Sequence, residues 1–263
     1  REEKKVDKTW QLKEKDILTG EIKNTGRLEI RNKSDEKADL YFLGDIVSDS
    51  WQSYWYDEDK CPQDISDFLK GIEDTKDINI YINSGGGSVH AGIAIYNMLK
   101  RHKGFKTVYV DGIAASIASV IAMAGDKIIV PSNAQLMIHK PSSWCVGDAD
   151  SFRKLADVLD TCQESITSIY MDNVKDGITK EKITSMINDE TWFTGNEASK
   201  YFNIEVNEQE EIVACVSEFY NKYKHTPENL KKFINVSKNE KEDEDIENID
   251  DEVELIRLEL ELI

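Results

Sequence analysis

Cysteine, histidine and long apolar runs are all scarce in this chain of 263 residues. The four cysteines (Cys61, Cys145, Cys162 and Cys215) lack C-x-x-C spacing, and the four histidines are dispersed. We therefore expect no metal site and no cofactor, and a reducing, cytoplasmic location. No run of about 18 apolar residues occurs, which predicts no membrane-spanning segment. No signal-peptide pattern opens the chain.

Positive charge is also in deficit. The chain holds 33 Lys and Arg against 51 Asp and Glu, a formal net charge of −18. Nucleic-acid surfaces and docking on anionic membranes both need a basic face, so neither partner is expected. Hydrophobic residues make up 40% of the chain, enough for a core. The length fits one large domain, or one domain with an appendage.

Strand and helix patterns alternate through the middle of the chain. Residues 78–82, 106–110, 127–130 and 135–138 predict strands, and residues 90–103 and 116–124 predict helices. This alternation indicates an α/β fold with βα crossovers and a largely parallel sheet. The site of such a fold lies in the loops at the carboxyl ends of the strands.

Composition divides the chain into four segments. They are a charged and loosely attached arm (1–36) with a hairpin between Gly20 and Gly26, a body (37–206), a helical extension (207–236) and an acidic amphipathic tail (237–263). The tail holds 12 acidic and 3 basic side chains. Such a tail is either solvated or, because it carries an apolar stripe, a partner-binding segment.

A long helix follows Asp148. Its apolar residues are spaced alternately three and four apart, at Phe152, Leu155, Leu159, Cys162, Ile166 and Ile169. This narrow seam is typical of helix-to-helix packing. The seam packs either against a second subunit or against the sheet of its own chain.

Three consecutive glycines, Gly85 to Gly87, follow the strand at 78–82. The loop lacks the lysine of a phosphate-binding P-loop and does not fit G-x-G-x-x-G. Backbone N–H groups in such a loop suit an oxyanion hole, which would take one donor from Gly87 and one from Ile117. The alternative is a tight strand-to-helix turn.

Ser116 and His139 are candidates for a nucleophile and its base. Ser116 follows only small residues at a strand-to-helix junction, and His139 ends the strand at 135–138. Tight helix packing and a core histidine are the structural alternatives. A triad also needs a carboxylate, for which Glu190 and Asp189 are the candidates by position. Asp148 is instead expected to cap the long helix.

Five motifs in order resemble the ClpP peptidase family, most closely its phage and prophage head-maturation branch. They are Tyr81-Ile82-Asn83-Ser84 with the glycines, Ala91 to Tyr96, Gly112 to Ser116, Met137-Ile138-His139 and Glu190 to Ala198. The resemblance covers residues 40–206. It implies Ser116 as nucleophile, His139 as base, Glu190 as third member (Asp189 as fallback), and Gly87 and Ile117 as oxyanion donors. Two departures stand out, since the family usually has Asp where Glu190 lies and often has proline at Gly85.

The resemblance also implies a ClpP/crotonase-like spiral of ββα units, and stacked rings joined by a long handle helix, here the seam helix. The chain has no ATPase motif, so the expected partners are an unfoldase, or phage scaffold and capsid proteins as substrates. The alternatives are a catalytically silent ring or scaffold subunit, and an acyl-CoA enzyme of the crotonase group.

Overall fold

A computed structural model describes residues 6–15, 22–46, 66–143 and 145–208, together with 217, 220, 222–228 and 230. Eight strands form one sheet in the order β1-β2-β3-β4-β5-β7-β8, and β6 also pairs with β5. The strands are β1 (Val6–Lys15), β2 (Ile22–Arg31), β3 (Lys37–Gly44), β4 (Asp77–Ser84), β5 (Phe105–Ala115), β6 (Lys127–Ile129), β7 (Gln135–Ile138) and β8 (Thr191–Thr194).

In the described ranges, five α-helices with both ends defined follow the strands or connect them, and a 3-10 helix (Lys70–Ile72) precedes β4. The α-helices are α1 (Val89–Arg101), α2 (Ile117–Ala122), α3 (Ala149–Met171), α4 (Lys180–Asn188) and α5 (Gly195–Ala198). Side-chain oxygens cap the amino ends of four of them, from Ser88, Asp148, Thr179 and Thr194. Such caps satisfy N–H groups that have no partner inside the helix. The expected cap at Asp148 is confirmed.

The centre of the sheet is parallel and its two ends are antiparallel. β3, β4 and β5 pair in parallel, as do β5 with β6 and β5 with β7. β1 with β2, β2 with β3, and β7 with β8 pair antiparallel. The α/β expectation is confirmed, and the sheet is mixed rather than largely parallel.

The amino-terminal segment differs from the expected loose arm. β1 and β2 form a long antiparallel hairpin, and β2 continues into the central sheet through β3. Leu12, Leu28 and Ile30 are buried in the main core. Charged residues alternate with these apolar residues along β2, and among them Arg27 and Glu29 form an ion pair. The hairpin tip lies outside the described residues.

The buried seam residues of helix α3 all lie in its second half. Cys162, Ile166 and Ile169 are buried, whereas Phe152 is 53% exposed and Val158 is 39% exposed. The predicted seam therefore divides between intramolecular contacts and an apolar surface left open in the single chain.

Of the carboxyl-terminal segment 207–236, expected to be a helical extension, the structure describes only residues 207, 208, 217, 220, 222–228 and 230. Ser217 lies outside any helix and residues 222–227 form turns and irregular structure, whereas residues 228 and 230, just after Pro227, are helical. The acidic tail, 237–263, lies outside the described residues. Over the described ranges, no helix is long and apolar enough to cross a membrane. In the same ranges, no group of three or more His, Cys, Asp or Glu side chains is arranged to hold a metal ion.

Candidate active site

Strand register brings three predicted loops to one edge of the sheet. Ser84 at the end of β4 lies beside Ala114 of β5, and Ala115 lies beside Met137 of β7. The glycine loop, Ser116 and His139 each follow one of these strand ends, so the parallel pairing places them together.

Ser116 stands in a backbone conformation that residues other than glycine rarely adopt, with φ 55° and ψ −127°. Its N–H donates to the carbonyl oxygen of Met137 at 2.9 Å. Its own carbonyl oxygen accepts from the Ser119 hydroxyl at 2.6 Å, and Ser119 hydrogen-bonds to Tyr170 at 2.7 Å. Backbone strain of this kind persists only where the surroundings fix it, and it clusters at functional sites.

The half-buried His139 faces Ser116 directly. Its Nε2 lies 2.7 Å from the Ser116 Oγ. Burial lowers the pKa of His139 to about 4, and the nearby Glu190 carboxylate offsets part of this effect. The imidazole is therefore neutral at pH 7. For Nε2 to accept the Ser116 proton, the ring proton must be on Nδ1.

The glycine loop approaches Ser116 closely enough to exclude a side chain. Gly86 has φ +108°, and a Cβ there would lie 2.7 Å from the Ser116 Cβ. Gly87 has φ +141° and pairs with Ile46, which donates to the Gly86 oxygen at 2.6 Å and accepts from Ser88 at 2.7 Å. Ile117 is the first residue of α2, so its N–H has no partner within that helix.

The two candidate carboxylates lie in different environments. Glu190 is 7% exposed and accepts from the Trp192 Nε1 at 3.3 Å. Asp189 is exposed, caps the end of α4, and accepts from Ser185 at 3.3 Å. Among the described residues, neither carboxylate hydrogen-bonds to the His139 ring. Glu190 is the one whose charge acts on His139.

Tyr223 also belongs to this site, and the sequence did not predict it. Its hydroxyl donates to the Gly85 oxygen at 2.5 Å, and its ring contacts the His139 ring edge-on at 4.9 Å between centroids. Backbone N–H groups of Lys224 and His225 donate to the Glu190 carboxylate at 2.8 and 2.6 Å. These residues follow the part of the chain that carries the motifs, so no pattern linked them to the site.

Ser116, His139 and Glu190 lie within a stretch of the chain that matches a known protein family. The Clp protease family matches residues 63–205, more than half of the chain. The chain belongs to the Clp protease family. An ATP-dependent Clp protease proteolytic subunit 1 from Corynebacterium jeikeium is 32% identical to this family member over 165 residues, 62% of this chain and 82% of that protein.

Two further relatives are matched over a shorter stretch. An ATP-dependent Clp protease proteolytic subunit from Bacteroides fragilis is 32% identical over 51% of this Clp family chain and 65% of its own length. Proteolytic subunit 3 from Streptomyces coelicolor is 34% identical over 51% of this chain and 61% of its own length. The chain therefore spans somewhat less than two thirds of these two relatives.

Proposed function

We propose that this chain is a serine endopeptidase of the ClpP type. The observation that carries the proposal is the 2.7 Å contact between the Ser116 Oγ and the His139 Nε2, at adjoining strand ends. Membership of a family whose relatives are named proteolytic subunits supports it.

In the proposed mechanism, His139 takes the hydroxyl proton as Ser116 Oγ bonds to the carbonyl carbon of a peptide bond. The oxyanion accepts from the N–H groups of Gly87 and Ile117. The C–N bond then breaks while His139 returns the proton to the leaving amine. Water, activated by the same imidazole, hydrolyses the acyl-serine ester and frees Ser116.

Glu190 is the proposed third member of the triad. It is buried and its charge acts on His139, whereas Asp189 is exposed and bonded within its own helix. An ionised carboxylate near the imidazole stabilises the imidazolium that forms during attack. A longer side chain than the family's usual aspartate can fill this role once it turns toward Nδ1.

Labelling with a fluorophosphonate, followed by a fluorogenic peptide assay, tests the function. We expect labelling of the wild type and none of Ser116→Ala, with peptidase activity reduced on the order of 10⁵-fold. Equal labelling of both proteins would show that Ser116 is not the nucleophile.

A homo-oligomer is the proposed working form. The exposed Phe152 of the predicted seam and the exposed Val158 give α3 apolar surface that intersubunit packing could cover. Light scattering after size exclusion checks this. A monomer at micromolar concentration for the wild type would contradict it, and Phe152→Asp should dissociate the oligomer.

The biological setting proposed is phage capsid and scaffold maturation in the host cytoplasm, with an unfoldase needed for folded substrates. This part rests on the motif resemblance and on the acidic tail, 237–263, as an anchor for scaffold or capsid protein. Unchanged assembly and co-purifying partners after deletion of 237–263 would refute the anchor.

A catalytically silent ring or scaffold subunit is the second candidate, because the Glu190 carboxylate is bonded to residues 224 and 225 rather than to His139. It predicts no labelling of the assembled oligomer. The crotonase-type acyl-CoA alternative requires no contact between Ser116 and His139, and that contact favours the peptidase.

A further inference from the structure

The described residues among 217–230, here called the strap, lie across the candidate active site. They contact the glycine loop, the Ser116–His139 pair and Glu190 from one side. The strap lies beyond residue 205, where the family match ends. It is therefore a feature of this chain that the shared catalytic body does not account for.

The Tyr223 hydroxyl occupies the space beside the nucleophile. It donates to the Gly85 oxygen at 2.5 Å and would lie 3.1 Å from a Cβ placed on Gly86. Burial raises the pKa of Tyr223, and a hydrogen bond with Ser116 lowers it in part. A peptide carbonyl that Ser116 attacks must occupy this same space, because its oxygen has to reach the N–H groups of the glycine loop.

The strap also holds the carboxylate that His139 would need. Two of the three donors to Glu190 are strap N–H groups, those of Lys224 and His225. Both Glu190 oxygens therefore accept bonds from the strap, and neither bonds to the imidazole. A triad in which the carboxylate does not orient the base is not in its working arrangement.

The attachment of the strap is separate from the main core. Tyr220 and Tyr223 pack with Ile113, Ala115 and Met137 in a small cluster of their own. A buried hydrogen bond from Ser217 Oγ to Asp45 Oδ1, at 2.5 Å, attaches the start of the strap. The strap can therefore leave without opening the main core, as expected of a locally unfolding unit.

We propose that the strap is an intramolecular inhibitor, which must be displaced before Ser116 can attack a substrate. This inference rests on the proposed peptidase function. In the closed form the strap fills the approach to Ser116 and withholds Glu190. In the open form Glu190 is free to turn toward His139.

Fluorophosphonate labelling rates of full-length variants test the proposal. Tyr223→Ala should label faster than the wild type by about tenfold or more, because it removes the ring that covers the site. Tyr223→Phe removes the hydroxyl that bonds to Gly85 and Ser116, and Ser217→Ala removes the buried bond to Asp45. For each variant we expect a rise in labelling rate of about fivefold. Lys180→Ala, at an exposed position outside the strap at the start of α4, should label at the wild-type rate. Circular dichroism of each variant checks folding. If Tyr223→Ala does not fold, the labelling rate of Ser217→Ala tests the proposal in its place.

A synthetic peptide spanning residues 217–230 provides an independent measurement. It should slow labelling of Tyr223→Ala when added in trans, and the same peptide with Tyr223→Ala should not. A lower labelling rate for folded Tyr223→Phe and Tyr223→Ala would overturn the proposal, since Tyr223 would then assist catalysis. Equal rates in all variants would overturn it as well. Absence of labelling in every variant, in a protein that is folded and assembled, would instead refute the peptidase function.

Discussion

Replacing Gly87 with alanine is the sharpest test of the glycine loop. Gly87 has φ +141°, and an added Cβ would lie within 3.0 Å of the Ile46 backbone nitrogen, with other Ile46 backbone atoms closer still. The residue cannot keep its place without breaking the two Ile46 hydrogen bonds to Gly86 and Ser88.

The expected cost can be worked from these contacts. An unfavourable backbone conformation costs about 1–3 kcal/mol. Each lost hydrogen bond adds about 0.5–1.5 kcal/mol. We therefore expect Gly87→Ala to lower the free energy of unfolding by about 2–6 kcal/mol. Displacing one oxyanion donor should also reduce the peptidase turnover by about 10²–10³-fold.

Gly177→Ala is the matched control, because Gly177 also has a positive φ, +85°, but a Cβ there meets nothing within 4 Å. Its free energy of unfolding should fall by about 1 kcal/mol, the cost of the backbone conformation alone, and its turnover should equal that of the wild type. Urea unfolding and fluorogenic peptide kinetics provide the two measurements. If Gly87→Ala matched Gly177→Ala in both, the loop would not be positioned by its contact with Ile46, and Gly87 would not be an oxyanion donor.

Three further predictions concern proton and hydrogen-bond partners. Because burial lowers the pKa of His139 to about 4, its neutral, basic form should persist in mildly acidic solution. As the pH is lowered, the rate of fluorophosphonate labelling should therefore fall with a midpoint nearer 4 than 6.5. A midpoint at 6.5 would contradict this. Tyr170→Phe removes a buried hydrogen bond to Ser119 and should lower the free energy of unfolding in urea by about 1 kcal/mol. Its labelling rate should stay within about twofold of the wild type. A far larger loss of labelling at unchanged stability would contradict this. Burial raises the pKa of Asp126, but bonds from the buried Lys106 outweigh it and hold this pKa below its usual 3.8. That pair should therefore stabilise the fold above about pH 4 and lose its contribution as pH falls through the lowered pKa, a dependence that Asp126→Asn should abolish in acid unfolding.

Periodicity and local signals predicted most of the body. The strand at residues 135–138 and the cap at Asp148 were predicted as the structure has them, because a run of apolar residues and a capping side chain act over only a few positions. The amino-terminal hairpin was not predicted as part of the sheet. Its apolar residues, such as Leu28 and Ile30, alternate with charged residues that pair with one another along the same strand, and this local pattern does not indicate which strand lies beside it.

The part of the site geometry that depends on strand order was predictable from the sequence. Parallel pairing of the two strands before Ser116 and His139 follows from the alternating pattern, and it brings those residues together. The role of the strap was not predictable. Ser217 and Tyr223 reach the site through contacts that include hydrogen bonds to Asp45 and Gly85, which lie 172 and 138 positions away in the sequence.

The balance between the closed and open strap depends on Glu190. In the closed form its carboxylate accepts three N–H bonds, and hydrogen bonds to a charged group contribute about 1.5–3 kcal/mol each. Opening removes the two bonds from the strap and returns one, to the His139 ring. The free chain should therefore remain closed unless a ligand, such as a substrate polypeptide or an adjoining subunit, binds the open form more tightly by a comparable amount. The buried Glu190 thus stabilises the closed form through its hydrogen bonds to the strap. An aspartate at this position, one methylene shorter, would reach the two strap N–H groups less well.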